Sequence, residues 1–402
     1  MQHNHITVAL GLPSLIVEGQ YNVGRAIIIA VRFRQQERRC PVCRQRTGRV
    51  HQYHHQIKQH IALWGRLVFL QLCKRRFRCG RCAKVFMEPD EVCGWRRRCT
   101  KGLRDHLARE SLTRTVKGVA ELEQVGEGLV RAAFSEMARG RLTGTASTPK
   151  ALALDEFSAG RQQGYLTALH AVERREVLNV MPGRNQATAE ALLNQLADGN
   201  RVEAVVMDMM EAYRQGVRVC CPHAAIVADK FHVLRKVFDV LATIRVAAQR
   251  RAQGEGQRLR LQRRRALLAA HPRSLSTRQR RELAQFLWAD RELAKGWWMA
   301  QRFRRLYELS TRQEAAAALE CWWETVVQRG PAPFRRLRHI LTEWREEILN
   351  YFDYRLTNGF AEGKNNRFKV IIRQGYGYRN MDNLIPRLLM TNRSLSNTAE
   401  GC

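Results

Sequence analysis

Two cysteine pairs, Cys40-Pro-Val-Cys43 and Cys79-Gly-Arg-Cys82, restrict the folding of this 402-residue chain more than any other feature. Each Cys-x-x-Cys pair can turn as a tight knuckle that presents two thiolates to one metal ion, and two knuckles complete a tetrahedral four-sulfur shell. Residues 44–78 separate the pairs, more than a ribbon usually allows. The strand-like run Leu67–Cys73 inside that gap offers a small β unit to close the loop. A full shell leaves no position for water, so the Zn²⁺ expected at Cys40, Cys43, Cys79 and Cys82 is structural. Arginines around the pairs depress the thiol pKa values and favour metal loading. His51, His54 and His55 are weaker candidates for the same shell, and Cys73, Cys93 and Cys99 are spare thiols near enough in sequence to exchange into it. Most of the cysteines outside the pairs, including Cys220, Cys221, Cys321 and Cys402, read as small buried hydrophobes.

The charge points to a polyanionic partner. Lys and Arg number 69 against 37 Asp and Glu, a net charge of +32. Self-repulsion of that size is useful only beside a polyanion, and nucleic acid is the leading candidate. The first 150 residues carry +17 of the total, about twice the density of the remainder. An acidic membrane surface would also attract such a chain. No apolar run, however, approaches the roughly 20 residues needed to span a bilayer. Met1–Leu10 shows no basic segment followed by an apolar one, so no export signal is read there and the expected location is the cytoplasm.

Composition divides the chain into parts. Residues 1–95 mix short β-type runs with the cysteine pairs and are expected to form a zinc-binding module. Residues 100–141 read as three helices, Lys101–Glu110, Thr115–Leu122 and Glu127–Ala138. That spacing suits a helix-turn-helix, with one helix in the major groove and Arg131, Arg139 and Arg141 as contacts to DNA. Leu142–Lys150, small and polar with one proline, is a linker. Beyond it, Ala151–Phe157 reads as a strand, Tyr165–Val172 and Glu176–Met181 as a hairpin, and Thr188–Leu196 as a helix. Val202–Met207 and Ala224–Ala228 are further strands, running into a helix that begins near His232. This order implies an α/β sheet with parallel and antiparallel members over residues 150–402. From about 232 to 350 the text is all helical, with Trp297, Trp298, Trp322, Trp323 and Trp344 expected in its core. Arg250-Arg251 and Arg263–Arg265 read as solvated helix faces, with tracking of phosphates as the second reading.

In so basic a chain, carboxylates at the ends of buried strands need a reason. Asp155 closes Ala-Leu-Ala-Leu, and Asp208 closes Val-Glu-Ala-Val-Val-Met. In a sheet of ribonuclease H type these strands are neighbours, and both side chains can reach a Mg²⁺ or Mn²⁺ site of two ions. A third carboxylate is expected from a later helix. On a helix, Glu362, Asn365, Asn366 and Lys369 share one face, with Phe360, Phe368 and Ile371 opposite and packed on the sheet. Glu156 alternates away from Asp155 along the strand and is left out. A lone Asp after a strand is ordinarily a turn or helix cap. Asp229, in Ala-Asp-Lys-Phe-His232, ends another strand, and spacing alone does not exclude it.

Taken in order, the cysteine pairs, the three helices, Leu154-Asp155-Glu156-Phe157, Val206-Met207-Asp208-Met209, Ala228-Asp229-Lys230-Phe231-His232 and Asn358-Gly359-x-x-Glu362-Gly363-x-Asn365 resemble the ISL3 family of insertion-sequence transposases, bacterial DDE enzymes. The resemblance covers nearly the whole chain, and the last motif with its trailing Tyr376-Gly377-Tyr378-Arg379 is the most specific part. It implies an α/β multidomain protein with a ribonuclease H-like catalytic core and an all-helical insertion, preceded by the zinc module and the helix-turn-helix. It implies Asp155, Asp208 and Glu362 as the catalytic, metal-holding triad, with Asp229, His232 and Asn365 accessory to it and Lys369 and Arg379 among the DNA contacts. The implied activity is metal-dependent cleavage at terminal inverted repeats, followed by attack of the freed 3′-hydroxyl on target DNA. Two DNA ends must meet, so a homodimer or larger assembly on double-stranded DNA, in the nucleoid, is expected. A related nuclease or resolvase would cut without joining ends. A non-catalytic zinc-containing regulator would leave the acids of the α/β core unexplained.

Overall fold

The computed structural model describes residues 10–94, 97–142, 147–160, 164–252, 254–376, 378 and 380–392, without the side chains of Gln257 and Asn392. The chain forms two compact units that divide between Gly144 and Thr145.

The first unit begins with β1 (Leu15–Val23) and β2 (Ala26–Phe33), an antiparallel pair. Strict alternation in β2 turns Ile27, Ile29, Val31 and Phe33 to the core. Two-residue strands β3 (Arg38–Arg39) and β4 (Arg46–Thr47) frame the first cysteine knuckle. A long hairpin follows, β5 (Val50–Leu63) and β6 (Arg66–Arg78), and β7 (Val85–Met87) pairs with the end of β6. The hairpin turns at Trp64 and Gly65, with φ of 50° and 71°, the doubly left-handed geometry that matches strand twist. β6 lies parallel to β2, so the sheet runs β1-β2-β6-β5. The β unit expected between the cysteine pairs is therefore far longer than Leu67–Cys73, and β1 and β5 carry too little alternation to be read from sequence.

The three helices fall close to their expected limits: α1 (Lys101–Glu110), α2 (Val116–Glu123) and α3 (Glu127–Leu142). Thr100 and Thr115 cap the first two, accepting from the backbone N–H of Leu103 and Gly118. Gln124, at φ 52°, stops α2 in the left-handed region. Leu103, Leu107, Val119, Val130 and Ala133 form their shared core.

The second unit is built on β8 (Ala151–Gly160), β9 (Gly164–Ala171), β10 (Glu176–Pro182), β11 (Ala204–Met207) and β12 (Ala225–Ala228), in the order β10-β9-β8-β11-β12. β8 to β10 form an antiparallel meander, whereas β11 runs parallel to both β8 and β12. Helices α4 (Gln186–Leu193) and α5 (Glu211–Cys220) are the crossovers that parallel pairing requires. All four residues of β11 are buried, as expected for a strand covered on both faces.

Among the described residues, eight α-helices follow without a strand: α6 (Lys230–Arg251), α7 (Glu255–Arg263), α8 (Arg265–Ala269), α9 (Thr277–Ala289), α10 (Arg291–Leu306), α11 (Arg312–Arg329), α12 (Ala332–Glu343) and α13 (Arg345–Tyr354). α6 starts two residues before His232 and buries Val233, Val237, Leu241, Ile244 and Ala248 along one stripe. It packs so close to α10 that a Cβ on Gly296 would lie 2.7 Å from Ile244 Cδ1. Trp322, Trp323 and Trp344 are buried here, but Trp298 is 46% exposed and departs from the expected core role. Arg251 pairs with Asp290 and Arg264 with Glu282, so both arginine runs have acidic partners within the block.

The chain returns to the sheet with α14 (Gly359–Gln374) and adds α15 (Met381–Asn392), which sequence reading did not anticipate. Phe368 packs on Phe157 of β8 with the rings tilted by 34° and 4.9 Å between centroids, placing α14 on one sheet face. Tyr213 of α5 bonds Thr167 of β9 on the other, at 2.7 Å between hydroxyls. No helix among the described residues is long and apolar enough to cross a membrane.

Candidate functional site

The acidic site grows out of one detail of sheet register. The last residue of β11, Met207, pairs with Leu154 of β8, so Asp208 leaves the sheet level with Asp155. One carboxylate oxygen each from Asp155, Glu156 and Asp208 lie within 4.8 Å of one another. Asp155 is only 6% exposed. Its Oδ2 accepts from Asn365 Nδ2 at 2.8 Å and its Oδ1 from the backbone N–H of Glu156 at 2.9 Å. Burial, and then the charge of Asp208, push the Asp155 carboxyl up to about 7. The same two causes raise Glu156, whose Oε2 is shielded from solvent with no hydrogen-bond partner among the described residues. Sequence alternation put Glu156 aside, and the structure brings it in.

A second grouping shares Asp208. Ligand atoms of Asp208, Asp229 and His232 also fall within 4.8 Å of one another. His232 Nδ1 lies 2.5 Å from Asp208 Oδ1 and 3.0 Å from Asp229 Oδ2. These contacts, that with Asp208 first, raise the imidazole to about 10, so the ring is a cation between two carboxylates. Asp229, 1% exposed, also accepts from the backbone N–H of Asn358 at 3.1 Å. Asn358 in turn donates from Nδ2 to the carbonyl of Leu154 at 3.3 Å. Asn358 and Asn365 thus fasten the start and the middle of α14 to β8.

The expected polar stripe on α14 is divided. Ala361, Asn365, Phe368 and Ile372 face inward, whereas Glu362 and Asn366 are exposed and Lys369 is half-buried. Asn365 turns inward because it has a buried carboxylate to serve. Glu362 stands one turn before Asn365, and neither acidic grouping among the described residues includes it. Beneath the helix, His170 of β9 is fully buried, neither ring nitrogen has a hydrogen-bond partner among the described residues, and Phe360 meets it edge-on at 5.9 Å. Burial holds its pKa down near 3, so the ring is neutral.

In the first unit, Cys40, Cys43, Cys79 and Cys82 bring all four sulfurs within 4.8 Å of one another. Cys40 and Cys82 Sγ are 3.6 Å apart, and Cys43 and Cys79 Sγ 3.5 Å. Four sulfurs at about 2.3 Å from one tetrahedral zinc would be separated by about 3.8 Å, so the donor set fits that ion. The knuckles are copies of each other. Cys40 N–H donates to Gln45 O and Arg44 N–H to Cys40 O, as Cys79 N–H does to Lys84 O and Ala83 N–H to Cys79 O. Arg44 and Ala83 occupy the same left-handed position, at φ 58° and 57°. Backbone N–H groups, Cys82 foremost, lower Cys79 to about 6, and the N–H of Cys43 lowers Cys40. Cys73, Cys93 and Cys99 stay outside the cluster, and burial raises all three. His51, His54 and His55 are exposed on β5.

On α3, Arg131 is exposed and paired with Glu127 at 2.6 Å, Arg139 donates to Ser135 O, and Arg141 sits in the last turn. Arg379 lies outside the described residues.

A carboxylate cluster in an α/β core, on a chain that also carries a four-cysteine ribbon, defines a class that the comparisons name. Residues 152–388 match the model of the ISL3 family of DDE proteins, described as "Transposase", and the chain belongs to that family. Residues 36–82 match a second model, described as "zinc-finger of transposase IS204/IS1001/IS1096/IS1165", in agreement with a structural zinc at the four cysteines. The transposase for insertion sequence element IS1001 of Bordetella parapertussis is 28% identical over 376 residues, 91% of each chain. The transposase for insertion sequence element IS1557 of Mycobacterium tuberculosis is 24% identical over 267 residues, 60% of this chain and 59% of the relative.

Proposed function

We propose that this chain is the transposase of a bacterial insertion sequence, acting in the nucleoid on the element's terminal inverted repeats and on target DNA. The observation that carries the reading is the convergence of Asp155, inside β8, and Asp208, just past the end of the adjacent parallel strand β11, in a chain of a transposase family. The strand order, an antiparallel meander continued by two parallel strands, supports a ribonuclease H-like core.

Asp155 and Asp208 would hold Mg²⁺ or Mn²⁺, with Glu362 as the third member of the triad. Oxygen ligands of this hardness suit either ion. When bound, such ions activate the attacking oxygen and stabilise the leaving one in phosphoryl transfer. The chain's own residues prepare the site. Asn365 holds the Asp155 carboxylate by a hydrogen bond to Oδ2, and Asn358 with Asp229 anchors the helix that carries Glu362. His232 holds Asp208 and Asp229 together through its Nδ1, and Asp208 is the carboxylate that the two acidic groupings share. Lys369 on α14 and Arg379 beyond it would meet phosphates. The zinc module of residues 1–95 and the three helices of residues 100–141, with Arg131, Arg139 and Arg141, would bind the repeats. Joining two ends calls for a homodimer or larger assembly on DNA.

The experiment uses purified protein, Mg²⁺ or Mn²⁺ and a labelled duplex ending in the terminal repeat, beside Asp208→Asn. Metal-dependent nicking at the repeat boundary and joining to a plasmid are expected. Asp208→Asn should lower both by at least about 10³-fold and leave duplex binding intact, since the loss falls on transition-state charge. Cleavage without joining would replace the reading with a nuclease. Binding without cleavage by the unaltered protein would replace it with a DNA-binding regulator.

A further inference from the structure

We propose that Glu156 is a direct ligand of the divalent cation, a carboxylate of the centre additional to Asp155, Asp208 and Glu362; this rests on the metal-centre reading given above. Consecutive strand residues face opposite sides of a sheet, which ordinarily keeps them from sharing a site. At this place the sheet ends. Glu156 pairs with Thr167 on one side, but β11 has stopped at Met207 opposite Leu154, so among the described residues no strand flanks Glu156 on the other. Asp208 follows directly on the last paired residue of β11, and one carboxyl oxygen each from Asp208 and from Asp155 and Glu156, on opposite sides of β8, lie within 4.8 Å of one another.

The partners of these oxygens separate their roles. Both oxygens of Asp155 accept from N–H groups, Asn365 and the Glu156 backbone. Asp229 is satisfied by Asn358 and His232. Glu156 Oε2 is screened from solvent and has no donor among the described residues. A buried carboxylate oxygen without a donor, set between two other acids, is costly unless a cation completes it. Hard, oxygen-seeking divalent ions are the class that such a triad of carboxylates takes. Glu362, in contrast, is exposed on α14 and lies in neither grouping. The inner place beside Asp155 and Asp208 therefore belongs to Glu156.

The test measures Mn²⁺ binding by calorimetry and by electron paramagnetic resonance on the full chain without DNA, comparing Glu156→Gln, Asp208→Asn, Asp155→Asn and Glu362→Gln. Glu156→Gln is expected to weaken Mn²⁺ at least about tenfold, as Asp208→Asn does. The metal-free variant should melt no lower than the unaltered protein, because a like-charge neighbour of Asp208 is gone. The rise in melting temperature on adding Mn²⁺ should shrink. Glu156→Asp, shorter by one methylene, is the second variant should the first fail to fold, and it too should bind Mn²⁺ more weakly at an unchanged melting temperature. Unchanged Mn²⁺ affinity in the Glu156 variants, with affinity lost in Asp155→Asn and Asp208→Asn, overturns the role of Glu156 alone. Unchanged affinity in all of them overturns the metal centre itself.

Discussion

The four sulfurs of the first unit and the carboxylates of the second are both clusters of ligand atoms within 4.8 Å, yet they are made in different ways. Each cysteine knuckle is local: six residues, one left-handed position and two backbone hydrogen bonds, repeated almost atom for atom at Cys40 and Cys79. The acidic cluster has no local unit. It depends on which strand lies beside β8, where β11 stops, and how α14 comes back to the sheet. A closed set of soft ligands can be encoded in a loop, because its task is only to be filled. A site that must also admit a substrate has to be left incomplete on one side, and tertiary structure does that.

Removing one ligand from the closed set should have the largest effect. Cys79→Ser is expected to abolish stoichiometric zinc and unfold residues 36–82, since structural zinc contributes about 10–16 kcal/mol of apparent binding energy. Metal analysis and hydrogen exchange should show that loss with protection of β8, β11 and β12 retained. Full zinc content in the variant would mean that the cluster is not the zinc site.

In the second unit the analogous change is smaller, because the surrounding residues share the work. Asn365→Ala removes the donor to Asp155 Oδ2. Single-turnover cleavage should fall about 10–100-fold with DNA affinity unchanged, the usual cost of losing a group that orients a ligand. An unaffected rate would show that Asp155 is held by its backbone bond alone.

The smallest effect is one of pH. His170 is neutral in the fold, with a pKa near 3 against an ordinary 6.5. Below pH 6.5 the unfolded chain takes up a proton that the folded chain refuses. Its contribution is therefore full above 6.5 and falls as pH drops toward 3, by about 2 kcal/mol at pH 5. His170→Leu should flatten that slope in melting temperatures taken between pH 8 and pH 5. An equal slope in both proteins would place the acid sensitivity elsewhere.

The same contrast explains how much the sequence discloses. Cys-x-x-Cys spacing and the buried run Val202–Met207 are properties of adjacent residues, and each is legible before any fold is known. Asp155 and Asp208 are legible because acids closing buried strands are costly. Glu156 is not, because alternation is a rule for the middle of a sheet and β8 outruns its neighbour there. Nor is the inward turn of Asn365, which the stripe groups with Glu362, Asn366 and Lys369 on one face until a buried carboxylate lies opposite. The edge strands β1 and β5 escaped notice for a related reason: with exposed Val17, Tyr21, Tyr53 and Ile57, their faces lack the contrast that alternation needs.

The bond between Asn365 and Asp155 joins residues 210 positions apart in the chain. At roughly 5–20 residues per second of synthesis, about 10–40 s pass between the emergence of one partner and that of the other. Throughout that interval residues 36–82 with their four cysteines and the three helices have already left the ribosome, so the first unit can fold well before the two halves of the acidic site can meet.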